Sequence, residues 1–392
     1  MGDDMEFALS DEERGIQEAI HALAMREFAP RAAEYDRTGE FPWPNIRLLA
    51  ENGYLGMTLP ARYGGAEASF LAFAICMEEI ARACAVTSVV FEVDNSLHME
   101  PILRFGTEEQ RQRFLPPLVR GERLGAYCLT EPSSGSDAGS MQSVAQEVEG
   151  GYRLRGQKSF ITNGGVADQY VVFARTGIDP GRRDISAFIL DKGMPGLSFG
   201  PPEAKMGLTA SHTTQVFLDD VFVPADRLLG EKHHGMRIAL ATLDAGRIGI
   251  AAQAVGVAQA ALDTAAAYAL EREQFGRPIA EHQGVQWILA EMATDVEAAR
   301  WLFYRAAWLY GEGRRATQEI AKAKLFASTI ANRHVPQALR VLGGYGYLKD
   351  HPMERYVRDV KVTEIYEGTS EVMKMLIARG VLERAKERAA RA

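Results

Sequence analysis

Apolar and polar positions follow three successive rhythms along this chain. Up to about residue 120 the apolar positions recur at helical spacing. Ser10, with Glu13 three residues on, predicts a capping box opening a helical stretch that runs through Glu34. Pro42 and Pro44 interrupt the pattern, and Gly64 with Gly65 marks a tight loop before an apolar helix over 70–84. Thr107 with Gln110 repeats the capping signature. Residue by residue, this part reads as scaffold. Near Gly121 the rhythm changes. Between Leu124 and Leu229 the runs become short and β-rich, as at 170–174, 185–190 and 214–222. Gly150-Gly151, Gly164-Gly165 and Pro195-Gly196 separate them. From Gly235 the helical period returns in long Ala-rich segments over 236–270, 283–310 and 317–342, and a last helix follows Thr369 or Ser370 as N-cap. Long helices with short connections predict an antiparallel bundle. The expected architecture is α+β, ordered α, β, α, with domains at 1–122, 123–232 and 233–392. The tail, 383–392, mixes charges and reads as a fraying helix end.

Composition narrows the function class. With 47% hydrophobic and 24% charged residues, the chain can bury a sizeable core and is no disorder candidate. A net charge of −8 argues against a nucleic-acid footprint. Cys76, Cys84 and Cys128 form no metal-spaced pair, and an odd, sparse count reads as a reduced, intracellular protein. Residues 1–14 are acidic, with no signal-peptide pattern, and the longest apolar stretches, such as 85–91, are too short for a bilayer. A cytoplasmic address, without membrane or metal, is the expectation.

Several familiar chemistries are absent from the sequence. There is no G-x-G-x-x-G, Walker A, G-x-S-x-G or H-E-x-x-H string. Adjacent His233 and His234 should diverge into surface or loop roles. Three segments remain. Residues 127–140, YCLTEPSSGSDAGS, are a flexible turn taken alone, yet small residues let a backbone approach a ligand, and the Thr130 and Ser136 hydroxyls can grip a polar ring or phosphate. Residues 157–165, QKSFITNGG, read as a strand entering a turn. Phe160 is there either core or a platform for a flat heterocycle, Thr162 a donor beside it, and Asn163-Gly164 a hairpin signal. Residues 365–371, IYEGTSE, place Glu367 before a helix capped by Thr369. A lone loop glutamate is ordinarily solvated, but one held on a Gly-freed turn can point into a cleft.

Taken in this order, these strings resemble the acyl-CoA dehydrogenase family, most closely its short-chain branch. The resemblance spans nearly the whole chain and includes 243–262, 272–283, 339–347 and 358–371. It implies an N-terminal helical domain, a middle β-barrel-like domain and a C-terminal four-helix bundle, with FAD between the last two. It places Tyr127, Cys128, Leu129, Thr130, Gly135 and Ser136 along the flavin, and Phe160, Ile161 and Thr162 on its other side. Arg272, Phe275, Gln283, Arg340, Val341, Gly343 and Gly344 would reach a flavin of a neighbouring subunit, with Thr369 and Glu371 also touching the cofactor. Ser136, Asp244, Arg247, Tyr366 and Gly368 would contact acyl-CoA. Glu367 would be the base that removes the α proton. Relatives that carry the base on the earlier helix need a carboxylate where this chain has Gly246. Two departures stand out: Thr209 where an Arg is common, and Arg340 where a Gln is common. The resemblance further implies a homotetramer passing electrons to an electron-transfer flavoprotein. The competing readings are an acyl-CoA oxidase, which is usually longer, and a non-catalytic flavoprotein, which tends to carry a basic C-terminal region.

Overall fold

The computed structural model describes residues 8–177 and 184–391. Residues 1–7 of the acidic N-terminal stretch and Ala392 of the tail lie outside them. The first part is helical: α1 (Asp11–Leu23), α2 (Ala29–Thr38), α3 (Trp43–Glu51), α4 (Phe70–Ala83), α5 (Ala85–Glu92), α6 (Glu100–Phe105) and α7 (Glu108–Val119). Both capping boxes form as expected, at Ser10–Glu13 and Thr107–Gln110. Two π-helical turns, Ala24–Phe28 and Val93–Met99, widen the helices. The first of them carries the opening helical stretch past Glu34 to Thr38.

Among the described residues eight strands follow: β1 (Gly125–Cys128), β2 (Val144–Val148), β3 (Gly151–Thr162), β4 (Gln169–Arg175), β5 (Ile185–Asp191), β6 (Leu197–Phe199), β7 (Thr213–Pro224) and β8 (Leu228–Leu229). They form one sheet in the order β6-β7-β3-β2-β4-β5-β8, with β1 parallel to β4. Side chains on a strand alternate between faces. Tyr170, Val172 and Ala174 of β4 share a core with Leu154 of β3 and with Val216 and Leu218 of β7, so the sheet curls over its own interior. Val171 and Phe173 face the other way, against Phe114, Leu115 and Leu118 of α7. One expectation is corrected here. Asn163-Gly164 does not make a hairpin, because β2 lies between β3 and β4. Asn163 instead takes a left-handed φ of 62° and donates its Nδ2 to the Gly125 carbonyl at 3.0 Å, tying the turn to β1.

The last part holds α8 (Gly235–Glu271), a small hairpin of β9 (Glu273–Gln274) and β10 (Arg277–Pro278), then α9 (Gln283–Gly311), α10 (Thr317–Leu342), α11 (Met353–Val360) and α12 (Ser370–Arg391). In the bundle, α8 and α9 pack on each other, and α10 packs on α8, α9 and α12. By length and composition α8 is apolar enough to cross a membrane, but 78% of that window is buried inside the protein, which makes it a core helix. Its small residues permit close contact with α4: a Cβ at Gly256 would stand 2.3 Å from the Glu78 carbonyl oxygen. Glu78 in turn accepts from Arg300 Nε at 2.8 Å, which fastens α4 to α9. His233 and His234 diverge as expected, one bonded to Thr176 at 2.9 Å and the other paired with Glu231 at 3.0 Å.

Candidate active site

The first wall of the site is built where β1 runs out. Alternation sends Tyr127 and Leu129 towards the helices and Cys128 into the sheet interior, so Cys128 can offer a ligand only its backbone. The loop that follows is held from beneath. Glu131 accepts from the Ser143 N–H at 3.0 Å and from Lys158 Nζ at 2.8 Å, and Lys158 also donates to the Leu129 carbonyl at 3.2 Å. The pair is sealed from water, with the Lys158 side chain 0% exposed. Removing one partner leaves a buried charge unpaired, which costs about 3–5 kcal/mol. Lys158→Met should therefore lower the melting temperature sharply and loosen the 129–136 loop, as thermal unfolding and proteolysis there would show. An unchanged melting curve would contradict the role of the pair.

Pinning that loop sets it against a bulge in β3. The β3–β7 register shifts between Lys158 and Ile161, and the Ser159 N–H donates to the Thr130 carbonyl at 2.9 Å. Phe160 adopts a φ of 57° and turns its ring outward, 69% exposed. The core reading of Phe160 is thereby excluded. Ile161 points into the sheet interior and Thr162 is half-buried. An outward aromatic, next to the Ser159–Thr130 link, is a platform that suits a flat heterocycle, and Gly135 and Ser136 lie exposed in the same loop as Thr130.

The second wall is the turn before α12. Glu367 sits at a φ of 53° and Gly368 at 103°. Backbone in this region is costly for a residue with a Cβ, so surrounding contacts must hold it. They do: Arg247 Nε donates to the Glu367 carbonyl at 3.0 Å and Lys324 Nζ to the Gly368 carbonyl at 2.7 Å. Arg247 is itself oriented by Asp244 at 2.9 Å, and Asp244 accepts from Thr317 at 2.8 Å. The Thr369 hydroxyl caps α12 through the Val372 N–H at 3.4 Å, and Glu371 is exposed in its first turn. Tyr366 donates to Gln253 on α8. The expected substrate residues Asp244, Arg247, Tyr366 and Gly368 thus gather around Glu367, while Ser136 belongs to the exposed loop after β1.

The Glu367 carboxyl enters the protein although the turn itself is partly accessible. Its Oε2 is buried, and a Cβ at position 246 would lie 2.1 Å from it. Gly246 is therefore the recess that receives the carboxyl. Burial raises the Glu367 pKa to about 7, opposed by hydrogen bonding with Glu92 and by the charges of Arg247 and Lys324. Neither Glu92 nor Lys324 is apparent from motif reading. Their signal is a charged residue inside an apolar run (85–93) and on the buried face of α10.

A third group lies elsewhere. A cavity of about 530 Å³ is lined by Arg272, Val341, Gly343, Gly344, Tyr268 and Tyr345, among others. The Arg272 guanidinium stands 5.8 Å from the Tyr345 ring centroid, leaving a cation at the cavity wall. Phe275, 94% exposed, tips the β9–β10 hairpin. Gln283 opens α9 and is exposed, as is Arg340 at the end of α10. Tyr127 bonds the Ala239 carbonyl near the start of α8, whereas Arg272 follows its last residue. At ~1.5 Å rise per residue, roughly 50 Å of helix separates the two levels. No single dinucleotide joins Phe160 to Phe275 within one chain. Thr209, the other departure, donates to Asp36 of α2 at 2.9 Å and so fastens its loop to the amino-terminal helices.

The first two walls fit a flavin dinucleotide: an outward aromatic platform, a small-residue loop, and the capped N-terminus of a long helix, whose N–H groups favour phosphate. The recessed Glu367 carboxyl, whose charge reaches Tyr127 on the strand leading into that loop, adds a group able to move a proton, and the class that suits such a site is a flavin-dependent oxidoreductase. Comparison with known proteins carries this to a family. The acyl-CoA dehydrogenase N-terminal, middle and C-terminal domain models match residues 10–122, 126–221 and 233–382. A short-chain specific acyl-CoA dehydrogenase of Clostridium acetobutylicum is 45% identical over 374 residues, covering 95% of this chain and 99% of that one. The structure of butyryl-CoA dehydrogenase from Megasphaera elsdenii superposes with a TM-score of 0.94 at 42% identity, covering 96% of this chain and 100% of that one. A chain in the structure of the electron transferring flavoprotein of Acidaminococcus fermentans gives 0.95 at 44% identity, with the same coverage. The chain belongs to the acyl-CoA dehydrogenase family, and FAD is its cofactor.

Proposed function

We propose that this enzyme dehydrogenates a short or branched acyl-CoA to the trans-2-enoyl-CoA, with Glu367 as the base. The recessed Glu367 carboxyl, received by Gly246 and poised at a pKa of about 7, carries this reading. An α proton of a thioester is weakly acidic, and a base works best when its pKa lies near the working pH. Glu367 takes that proton while its own N–H, presented by the left-handed turn, donates to the thioester oxygen and stabilises the charge that develops there. Arg247 and Lys324 hold the turn through its carbonyls, so the carboxyl moves no further than its own side chain allows. Bound FAD supplies the acceptor for the β hydrogen, taken with its electron pair. Thr130, Ser136, Phe160, Thr162 and the Thr369 end of α12 bind and orient it. Arg272, Phe275, Gln283 and the 340–344 turn serve the cofactor of a neighbouring subunit, which makes the working unit an oligomer, a homotetramer in this family.

The flanking assignments belong to the same proposal. Domains divide at 122/123 and 232/233, electrons leave to an electron-transfer flavoprotein, and the enzyme works in the cytoplasm. The bacterial relatives support that address. The test is a panel of acyl-CoA thioesters with an artificial electron acceptor, following flavin bleaching anaerobically. Bleaching strongest with short or branched chains supports the reading. Bleaching by none of them, or peroxide formed in air at the rate of turnover, overturns it. The rate should also carry the titration of Glu367. The base acts only when ionised, so kcat/KM should fall about tenfold per unit as pH drops below about 7. A profile flat from pH 8 to 5 would contradict the assignment.

A further inference from the structure

The mechanism uses one carboxylate, and the structure places a second one against it. Glu92 ends α5 and is 1% exposed. A Cβ at Gly249 would lie 2.7 Å from Glu92 Cγ, just as a Cβ at Gly246 would lie 2.1 Å from Glu367 Oε2. Residues three apart share a helix face. One face of α8 therefore carries two consecutive recesses, each filled by a carboxyl arriving from a different element. The Ser96 hydroxyl donates to Glu92 Oε1. The remaining Oε2 of Glu92 and the Oε2 of Glu367 are both buried, and apart from the contact between the two carboxyls neither has a hydrogen-bond partner among the described residues. An orphaned buried carboxylate oxygen is expensive, and two side by side are more so. One proton held between the two groups satisfies both.

Resting on the assignment of Glu367 as the base, we propose that Glu92 is a positioning residue for the reaction: protonated, it donates to the Glu367 carboxylate, keeping the base ionised and fixing its orientation. The charged surroundings decide which partner keeps the proton. Glu367 faces Arg247, with its partner Asp244, on α8, Lys324 on α10, Tyr127 on β1 and the neighbouring Tyr366. The two cations favour an ionised Glu367. Glu92 has the Ser96 hydroxyl as its donor and no cation among the groups that shift it. Burial, together with the Glu367 charge, pushes the Glu92 pKa well above that of an ordinary carboxyl. The proton thus belongs to Glu92 and the negative charge to Glu367. A carboxylic acid kept neutral in a dry site can serve as a donor, which an ionised one cannot.

The test compares Glu92→Leu with Glu92→Gln in the flavin-loaded, full-length enzyme, using butyryl-CoA and an artificial acceptor across pH. Leu removes the donor, so the acid limb of kcat/KM should move up by about one unit or more, with activity lost at pH 7 and recovered at higher pH. Gln keeps an N–H donor of the same reach and should restore the wild-type limb. A limb that stays in place in Glu92→Leu overturns the proposal. So does one that moves down, because that would mean Glu92 was ionised and repelling the base. A variant that damaged only packing would lose activity at every pH alike, which also counts against it. Should Glu92→Leu fail to fold, infrared difference spectra of the wild type and Glu92→Gln decide. A protonated carboxyl band at pH 7 that Gln abolishes supports the assignment, and its absence in the wild type overturns it. Failure of the base assignment itself is told apart by Glu367→Gln, which would then remain active while Glu92 still showed its band.

Discussion

Glu367→Gln should lower turnover by about 10²–10⁴-fold, the usual worth of a positioned general base, while leaving the protein folded and yellow. The substitution spares everything that holds the turn. Arg247 and Lys324 bind the backbone carbonyls of Glu367 and Gly368, not the carboxyl, and the Thr369 cap is untouched. Gln has the same length and fits the same recess at Gly246. It also removes one of two neighbouring buried carboxyls, so the melting temperature should hold or rise. The measurements are kcat with an acyl-CoA, flavin absorbance per chain and thermal unfolding. Activity within a few-fold of wild type would remove Glu367 from the mechanism.

Gly246→Ala should produce the second largest loss, although the change is a single methyl. That methyl would stand 2.1 Å from Glu367 Oε2 and 2.9 Å from Leu97 Cδ2, well inside van der Waals contact. The backbone of the turn is fixed, so the carboxyl must swing out of its recess. Displacing a reacting group by about 1 Å costs on the order of 100-fold in rate, whereas overpacking costs the fold only about 1–3 kcal/mol. Activity should therefore fall far more than stability. The readouts are kcat/KM beside the melting curve and the flavin content. A variant as active as wild type would show that the carboxyl is not confined by α8.

Much of this architecture is legible in the sequence because it is local. The capping boxes at Ser10 and Thr107 need only four consecutive residues, and α10 has the bounds 317–342 that its periodicity predicts. Glu367 stands out in the sequence only through the family resemblance, while its left-handed turn is announced by the Gly368 beside it. What stayed hidden depends on long-range pairing. Phe160 faces outward because β3 slips register against β7 at that point, and a one-residue slip leaves no mark on the alternation of a single strand. Asn163-Gly164 suggests a hairpin until β2 is seen to intervene between β3 and β4. Glu92 lies in a run that reads as plain scaffold. Its partner is a residue 275 positions away, brought close only by the crossing of α5, α8 and the turn before α12.

The length of α8 has a consequence for how the enzyme keeps its cofactor. A helix of 37 residues carries Arg272 and the cavity beside it far from the Phe160 platform of the same chain. On the proposed placement of FAD between Phe160 of one subunit and Phe275 of another, cofactor affinity and subunit affinity would become one linked equilibrium. Each molecule of FAD would then act as mortar between chains, and each chain added to the assembly would tighten the grip on FAD. Loss of flavin and loss of quaternary structure would then be coupled, each governed by protein concentration as well as by cofactor concentration.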